Sequence, residues 1–152
     1  MTQATIESPI GPLTIMGDEE GLQSVLFGAR AQDSCLGGGI VSEAIVQLHA
    51  YFAGKLTRFD LPLNPEGTPF QKEVWRELLK VPYGTVITYG ELAKRIGKPN
   101  ASRAVGAANG ANPIPIIIPC HRVIGSGGKL TGYAGGIHIK EALLKIESVR
   151  LL

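Results

Sequence analysis

The chain has 152 residues, 44% hydrophobic and 18% charged, enough for one ordinary domain or two small ones that each bury a core. That composition excludes a disordered or fibrous chain, and no apolar run approaches the ~20 residues of a membrane-spanning helix. The net charge of +2 is unevenly placed: residues 1–67 hold 3 Lys and Arg against 8 Asp and Glu, whereas residues 68–152 hold 12 against 5. A basic C-terminal part suits a polyanionic partner, although two unevenly decorated solvated surfaces account for the imbalance as readily. Residues 1–7 lack a basic stretch followed by an apolar one, so no signal peptide is expected. A reducing cytoplasm then predicts free thiols at Cys35 and Cys120 rather than a disulfide.

In chain order, Thr5-Ile6-Glu7, Leu13–Met16 and Leu22–Phe27, separated by turn signals at Ser8–Pro12 and Asp18–Gly21, predict a three-strand antiparallel meander. Cys35–Gly39 reads as a Gly-rich loop. A helix capped by Ser42 follows, with Ile45, Val46, His49 and Phe52 on its apolar stripe, and it ends at Gly54. His49 reads as a packing residue; a lone histidine without ligand-spaced partners is poor evidence for metal. Asp60–Gly67, with Pro62, Pro65 and Gly67, marks a linker, which divides the chain into domains 1–67 and 68–152.

The second domain opens on Thr68-Pro69-Phe70-Gln71, a capping box with Pro at the first helical position. Phe70, Val74, Trp75, Leu78 and Leu79 recur at helical spacing as a core-facing stripe. Thr88-Tyr89-Gly90-Glu91 is a second capping box, for a helix closing at Gly97. After Lys98-Pro99, Asn100 is expected to cap a short helix over 101–108. Two short helices across a Gly-containing turn match a helix-turn-helix, though an ordinary helical hairpin is the commoner cause. The second helix is small-faced at Ala101, Ala104, Ala107 and Ala108, with Arg103 its only charge, which suits close approach to phosphates.

The apolar, proline-bounded run Ile114–Ile118 predicts buried extended backbone delivering Cys120, His121 and Arg122 into a cleft. A lone cysteine is usually an inert small hydrophobe. Next to His121 and Arg122, the thiol is expected to have a lowered pKa and nucleophilic character. Neighbouring side chains on an extended strand point apart, so contact between Cys120 and His121 needs an irregular turn or a bridging water. Metal is disfavoured, because Cys35, His49 and His138 offer no ligand spacing. Two Gly-rich loops around Tyr133 read as pocket walls, and a final helix spans about 140–147.

Pro119-Cys120-His121-Arg122-Val123-Ile124 resembles the active-site signature of the methylated-DNA–protein-cysteine methyltransferases, the O6-alkylguanine-DNA alkyltransferases. Phe70–Trp75, Pro82-Tyr83-Gly84, Tyr89, Ser102–Gly106, Asn112-Pro113, Gly132–Gly136 and Lys140–Glu147 fall in that family's order and spacing, and Ser8–Leu13 matches more loosely. The resemblance implies an α+β fold. A small antiparallel-sheet, ribonuclease H-like domain supports a helical domain that binds DNA through its helix-turn-helix and transfers the alkyl group. It implies transfer from guanine O6, with O4 of thymine left open, to Cys120, once per molecule and without a cofactor. His121 would be the base, Glu147 its orienter, Asn112 the brace of the turn, and Tyr89 a donor to the departing base that also crowds the 3′ phosphate. Arg103 would fill the stack left by a flipped-out nucleotide, with Ser102, Ala104, Gly106, Asn109 and Tyr89 along the minor groove. Tyr133, Ala134, Val123 and Pro115 would line the pocket. Ala134 stands where some members use a serine near the substrate oxygen, so backbone N–H groups would serve instead. The partner implied is duplex DNA carrying O6-alkylguanine, met by a monomer, with cooperative loading open; no membrane or metal is implied.

Two other classes compete. A damage sensor that binds DNA through the helix-turn-helix without chemistry would never become alkylated. A cysteine hydrolase built on Cys120, His121 and Glu147 would need turnover and an oxyanion hole, and would leave the basic half unexplained.

Overall fold

The computed structural model describes residues 1–29, 39–133 and 135–149. Cys35 with most of its Gly-rich loop, and Ala134, lie outside the described residues. Two compact units are resolved, Met1–Glu66 and Gly67–Leu152. No helix among the described residues is long and apolar enough to cross a membrane.

In the first unit β1 (Thr2–Ile6), β2 (Leu13–Asp18) and β3 (Gly21–Phe27) form an antiparallel sheet in sequence order. The register places Ala4 opposite Ile15 and Ile15 opposite Val25, so one row of buried side chains crosses the sheet. Helix α1 (Gly39–Phe52) covers that face with Val41, Ala44, Leu48 and Tyr51. This phase differs from the expected stripe: Val46 and His49 are exposed, and the helix starts three residues before Ser42. His49 is therefore not a packing residue. Part of the expected linker is sheet-bonded, since Leu22 N donates to Pro62 O at 2.8 Å and Asn64 N to Leu22 O at 2.8 Å. That close approach explains Gly21, where a Cβ would sit 3.0 Å from the Asn64 backbone nitrogen.

The second unit begins with α2 (Pro69–Leu78). Thr68 Oγ1 accepts from Gln71 N at 3.1 Å and Gln71 Oε1 accepts from Thr68 N at 2.9 Å, the reciprocal capping box. Val74, Trp75 and Leu78 are buried, whereas Leu79 is 48% exposed and Phe70 half-buried, so the core stripe is narrower than expected. Helices α3 (Tyr89–Arg95) and α4 (Ser102–Gly110) pack on each other and on α2. Thr88 caps α3 by accepting from Glu91 N, but the Glu91 carboxylate faces Arg95 Nε at 3.4 Å rather than closing a box. The residue capping α4 is Ala101, not Asn100, and no side chain bonds there. Trp75 Nε1 donates to Ala108 O at 2.9 Å, pinning the end of α4 to α2. The short strands β4 (Ile87–Thr88) and β5 (Val123–Ile124) pair in parallel, and α5 (Ile137–Ile146) closes the unit.

Because the Thr68 hydroxyl satisfies an otherwise orphaned helix donor, Thr68→Ala is expected to cost about 1 kcal/mol, read by urea unfolding of the full chain.

Candidate active site

The run 114–119 is buried, as its composition demands, but it is not extended. Asn112 folds it: its Oδ1 accepts from Ile114 N at 2.9 Å and its Nδ2 donates to Ile118 O at 2.8 Å. Ile118 N closes back on Ile114 O at 2.9 Å. Within this loop Ile116 is held at φ 75°, a left-handed conformation that a β-branched residue adopts only at a cost of order 1–3 kcal/mol. Pro119 (φ −80°, ψ 64°) makes an inverse γ-turn, with Cys120 N donating to Ile118 O at 2.8 Å. A single 3-10 turn, Cys120–Arg122, follows and turns its three side chains inward. The turn here is thus irregular and built from local backbone bonds, but among the described residues no hydrogen bond joins Cys120 to His121.

Beneath it lies a buried charge. Glu147, the C-cap of α5, is 2% exposed and receives three side-chain bonds. His121 Nε2 lies 2.7 Å from Oε2, Arg122 Nε donates to Oε1 at 2.8 Å, and Arg122 Nη2 donates to Oε2 at 3.0 Å. Arg122 Nη1 also donates to Val81 O at 2.7 Å, and Gly84 N reaches Oε1 at 3.4 Å. The two-pronged guanidinium keeps Glu147 ionised, and an ionised carboxylate only accepts. Nε2 of His121 must therefore carry the proton. Burial lowers the His121 pKa below 6.5, Glu147 opposes that shift, and Arg122 and Lys140 add to it. The resting ring is neutral, and its other nitrogen, Nδ1, is a basic lone pair with no hydrogen-bond partner among the described residues.

Cys120 is a free thiol, 5% exposed. Its pKa is raised, because burial outweighs the opposing effects of hydrogen bonds from Asn112 and Tyr133, the charge of Lys140 and its own backbone. This corrects the expectation of a thiol acidified by its chain neighbours. Arg122 is committed to Glu147, and the cation that favours the thiolate is Lys140. The Lys140 side chain is buried on α5, where Nζ donates to Val123 O at 2.6 Å and Thr131 O at 3.1 Å and lies 6.0 Å from the Tyr89 ring centroid. Sequence reading assigned no task to Lys140, although a signal existed. Lys140, Leu143, Leu144 and Glu147 share one helical face, so two charges sit on an apolar stripe.

Tyr89, at the start of α3, is half-buried between Gly106 and Thr131. A Cβ on Gly106 would lie 3.7 Å from the Tyr89 ring, and Thr131 Oγ1 donates to the Tyr89 hydroxyl at 3.0 Å. Tyr133 joins the site by favouring the thiolate form of Cys120, and Val123 and Pro115 are buried beside the turn. Arg103 and Ala104 are exposed on α4 and Ser102 is half-buried at its first turn. Asn109, expected at the DNA face, is instead buried, with Nδ2 donating to Cys120 O at 3.3 Å. It supports the cysteine from below. Among the described residues no three His, Cys, Asp or Glu side chains are grouped to hold a metal ion.

Comparison with known proteins sets this geometry in context. Residues 69–149 match the model of the 6-O-methylguanine DNA methyltransferase DNA-binding domain, and residues 1–65 that family's ribonuclease-like domain. The methylated-DNA–protein-cysteine methyltransferase of Methanosarcina acetivorans is 58% identical over 97% of this chain and 98% of its own. The chain belongs to this family. Its architecture agrees: the crystal structure of Mycobacterium tuberculosis OGT in complex with DNA is 54% identical, with TM-score 0.85, over 94% of this chain and 90% of that one. A second crystal structure, of M. tuberculosis O6-methylguanine methyltransferase, is 52% identical with TM-score 0.85 over 96% and 92%. The expected α+β fold, with its small antiparallel N-terminal sheet and helical C-terminal part, is the one observed.

Removing one member of a buried ion pair strands the other. Glu147→Gln is expected to cost about 3–5 kcal/mol in urea unfolding of the full chain; a loss under about 1 kcal/mol would mean that Arg122 is solvated instead.

Proposed function

We propose that this methyltransferase reverses DNA damage directly, moving an alkyl group from O6 of guanine in duplex DNA onto Cys120, in the cytoplasm and once per molecule. The observation that carries the reading is the buried row Cys120, His121, Arg122 on Glu147, in a chain of this family. Residues 67–152 bind DNA and perform the transfer, while residues 1–66 support them.

In the reaction Sγ of Cys120 attacks the alkyl carbon. The S–C bond forms as the O6–C bond breaks, and the electron pair leaves with the base. The thiol proton passes to Nδ1 of His121 through a water, as the basic lone pair allows, and Glu147 stabilises the resulting imidazolium. Tyr89 gives the departing base a proton, and exchange with solvent resets both groups. The products are a thioether at Cys120 and an intact guanine. Asn112 braces the turn that carries the nucleophile, and Tyr133, Val123 and Pro115 line the pocket.

The alkyl carbon is out of reach inside a duplex, so the nucleotide is flipped out and Arg103 takes its place in the stack. Arg103, Ala104 and Ser102 lie together at the open end of α4, where small side chains let the helix enter a minor groove. Gly106 acts beneath Tyr89 in the same approach. A monomer suffices for this chemistry. The sensor reading is not favoured, since a DNA reader needs neither a buried base nor an ionised orienter.

Two outcomes test the reading. Incubation with an O6-methylguanine duplex should replace the Cys120 thiol hydrogen with a methyl group, seen by intact-mass spectrometry; an equal adduct on Cys120→Ser would refute it. Because only neutral His121 accepts the proton and its pKa is lowered, the acid limb of the transfer rate should lie below pH 6.5. A limb above that value would assign the base elsewhere.

A further inference from the structure

The Thr131–Tyr89 contact belongs to no role so far assigned. A phenol oxygen offers one proton and two acceptor sites. Thr131 Oγ1 donates to that oxygen at 3.0 Å, so the Tyr89 proton does not point at Thr131 and remains available to another acceptor. Accepting one hydrogen bond also polarises the phenol and makes it a better donor of the next.

Thr131 is itself fixed. Its carbonyl accepts from Lys140 Nζ at 3.1 Å, and the same ammonium donates to Val123 O at 2.6 Å, three residues after Cys120. The Lys140 side chain is buried; its bond to Val123 O is buried as well, and its bond to Thr131 O is partly so. A continuous bonded path therefore runs from the nucleophile's own turn through Lys140 and Thr131 to the Tyr89 hydroxyl. Nothing in the Gly-rich stretch 125–136 marks Thr131 beforehand; its part is visible only once Tyr89 and Lys140 are placed around it.

We infer that Thr131 is a positioning residue for alkyl transfer, which holds the Tyr89 hydroxyl with its proton aimed at the departing base, and that Lys140 ties this donor to the turn carrying Cys120. The inference rests on the reading of Tyr89 as donor to the base. Its effect falls on the step in which negative charge builds on the base, not on DNA binding.

The test is single-turnover transfer from an O6-methylguanine duplex by the full chain, with the saturating rate separated from the half-saturating DNA concentration. Tyr89→Phe removes the donor and is expected to slow the saturating rate about a hundredfold, the lower end for a proton donor. Thr131→Val, which keeps shape and loses the hydroxyl, is expected to slow it about tenfold, equal to ~1.4 kcal/mol, with half-saturation unchanged. Thr131→Ser should recover the wild-type rate to within about twofold. The double variant Tyr89→Phe with Thr131→Val should be no slower than Tyr89→Phe alone, because the threonine acts only through the phenol. Losses that multiply in the double variant, or a slow Thr131→Ser, would overturn the inference; so would a wild-type rate for Thr131→Val beside a slow Tyr89→Phe. A wild-type rate for Tyr89→Phe would instead remove the reading of Tyr89, and this inference with it.

Discussion

A carboxylate taken out of water is expensive, and Glu147 is stable at 2% exposure only because Arg122 and His121 surround it. That one cluster fixes much else. Arg122 carries the link on to Val81, Gly84 adds a backbone donor, and the partners of Glu147 come from the turn that holds the nucleophile. Since the carboxylate can only accept, it dictates which imidazole nitrogen carries the proton. The free lone pair on Nδ1 follows from the charge on Glu147.

The site's two buried cations are not equivalent. Arg122 is paired and geometrically locked, so it neutralises Glu147 and lends nothing to the thiol. Among the described residues Lys140 donates only to neutral carbonyls and lies over the Tyr89 ring, and burial lowers its pKa while Cys120 raises it. With Cys120 as thiol, Lys140 is an uncompensated charge. With Cys120 as thiolate, Glu147 balances Arg122 and the thiolate balances Lys140. The fold therefore disfavours the thiolate through desolvation yet supplies its counterion, so a modest further change at the pocket can shift the balance between the two forms.

Local signals were legible in the sequence, and those that depend on tertiary partners were not. The Thr68 and Thr88 caps act within one turn, so residue type and spacing suffice to place them. In α1 the apolar residues Ile40, Val41, Ala44, Ile45, Val46, Leu48, Tyr51 and Phe52 nearly encircle the helix, leaving its phase open until the row Ala4–Ile15–Val25 selects Val41, Ala44, Leu48 and Tyr51. The run 114–118 has the composition of a strand, but the Asn112 amide folds it by bonding both of its ends, an effect invisible to periodicity. Cys120, His121 and Glu147 were legible through family resemblance, and their geometry is consistent with the proposed roles. Asn109, expected along the minor groove from the family resemblance, is buried and donates to the cysteine's carbonyl, a tertiary partner that residue type does not reveal.

A thiol with a raised pKa is a poor standing nucleophile, and for a protein used once that is consistent with its chemistry. An exposed, acidified cysteine is the species most readily oxidised. Such a loss would consume the protein before it met damage. Cys120 is buried, mostly protonated and flanked by a neutral base, so reactivity is withheld while the pocket holds no alkylated base. On the proposed mechanism proton loss, carbon transfer and departure of the base proceed together, each driven by the next. After transfer the sulfur has become a neutral thioether, and neither His121 nor Tyr89 can cleave a C–S bond. The features that protect the unused cysteine do not provide a way to regenerate it.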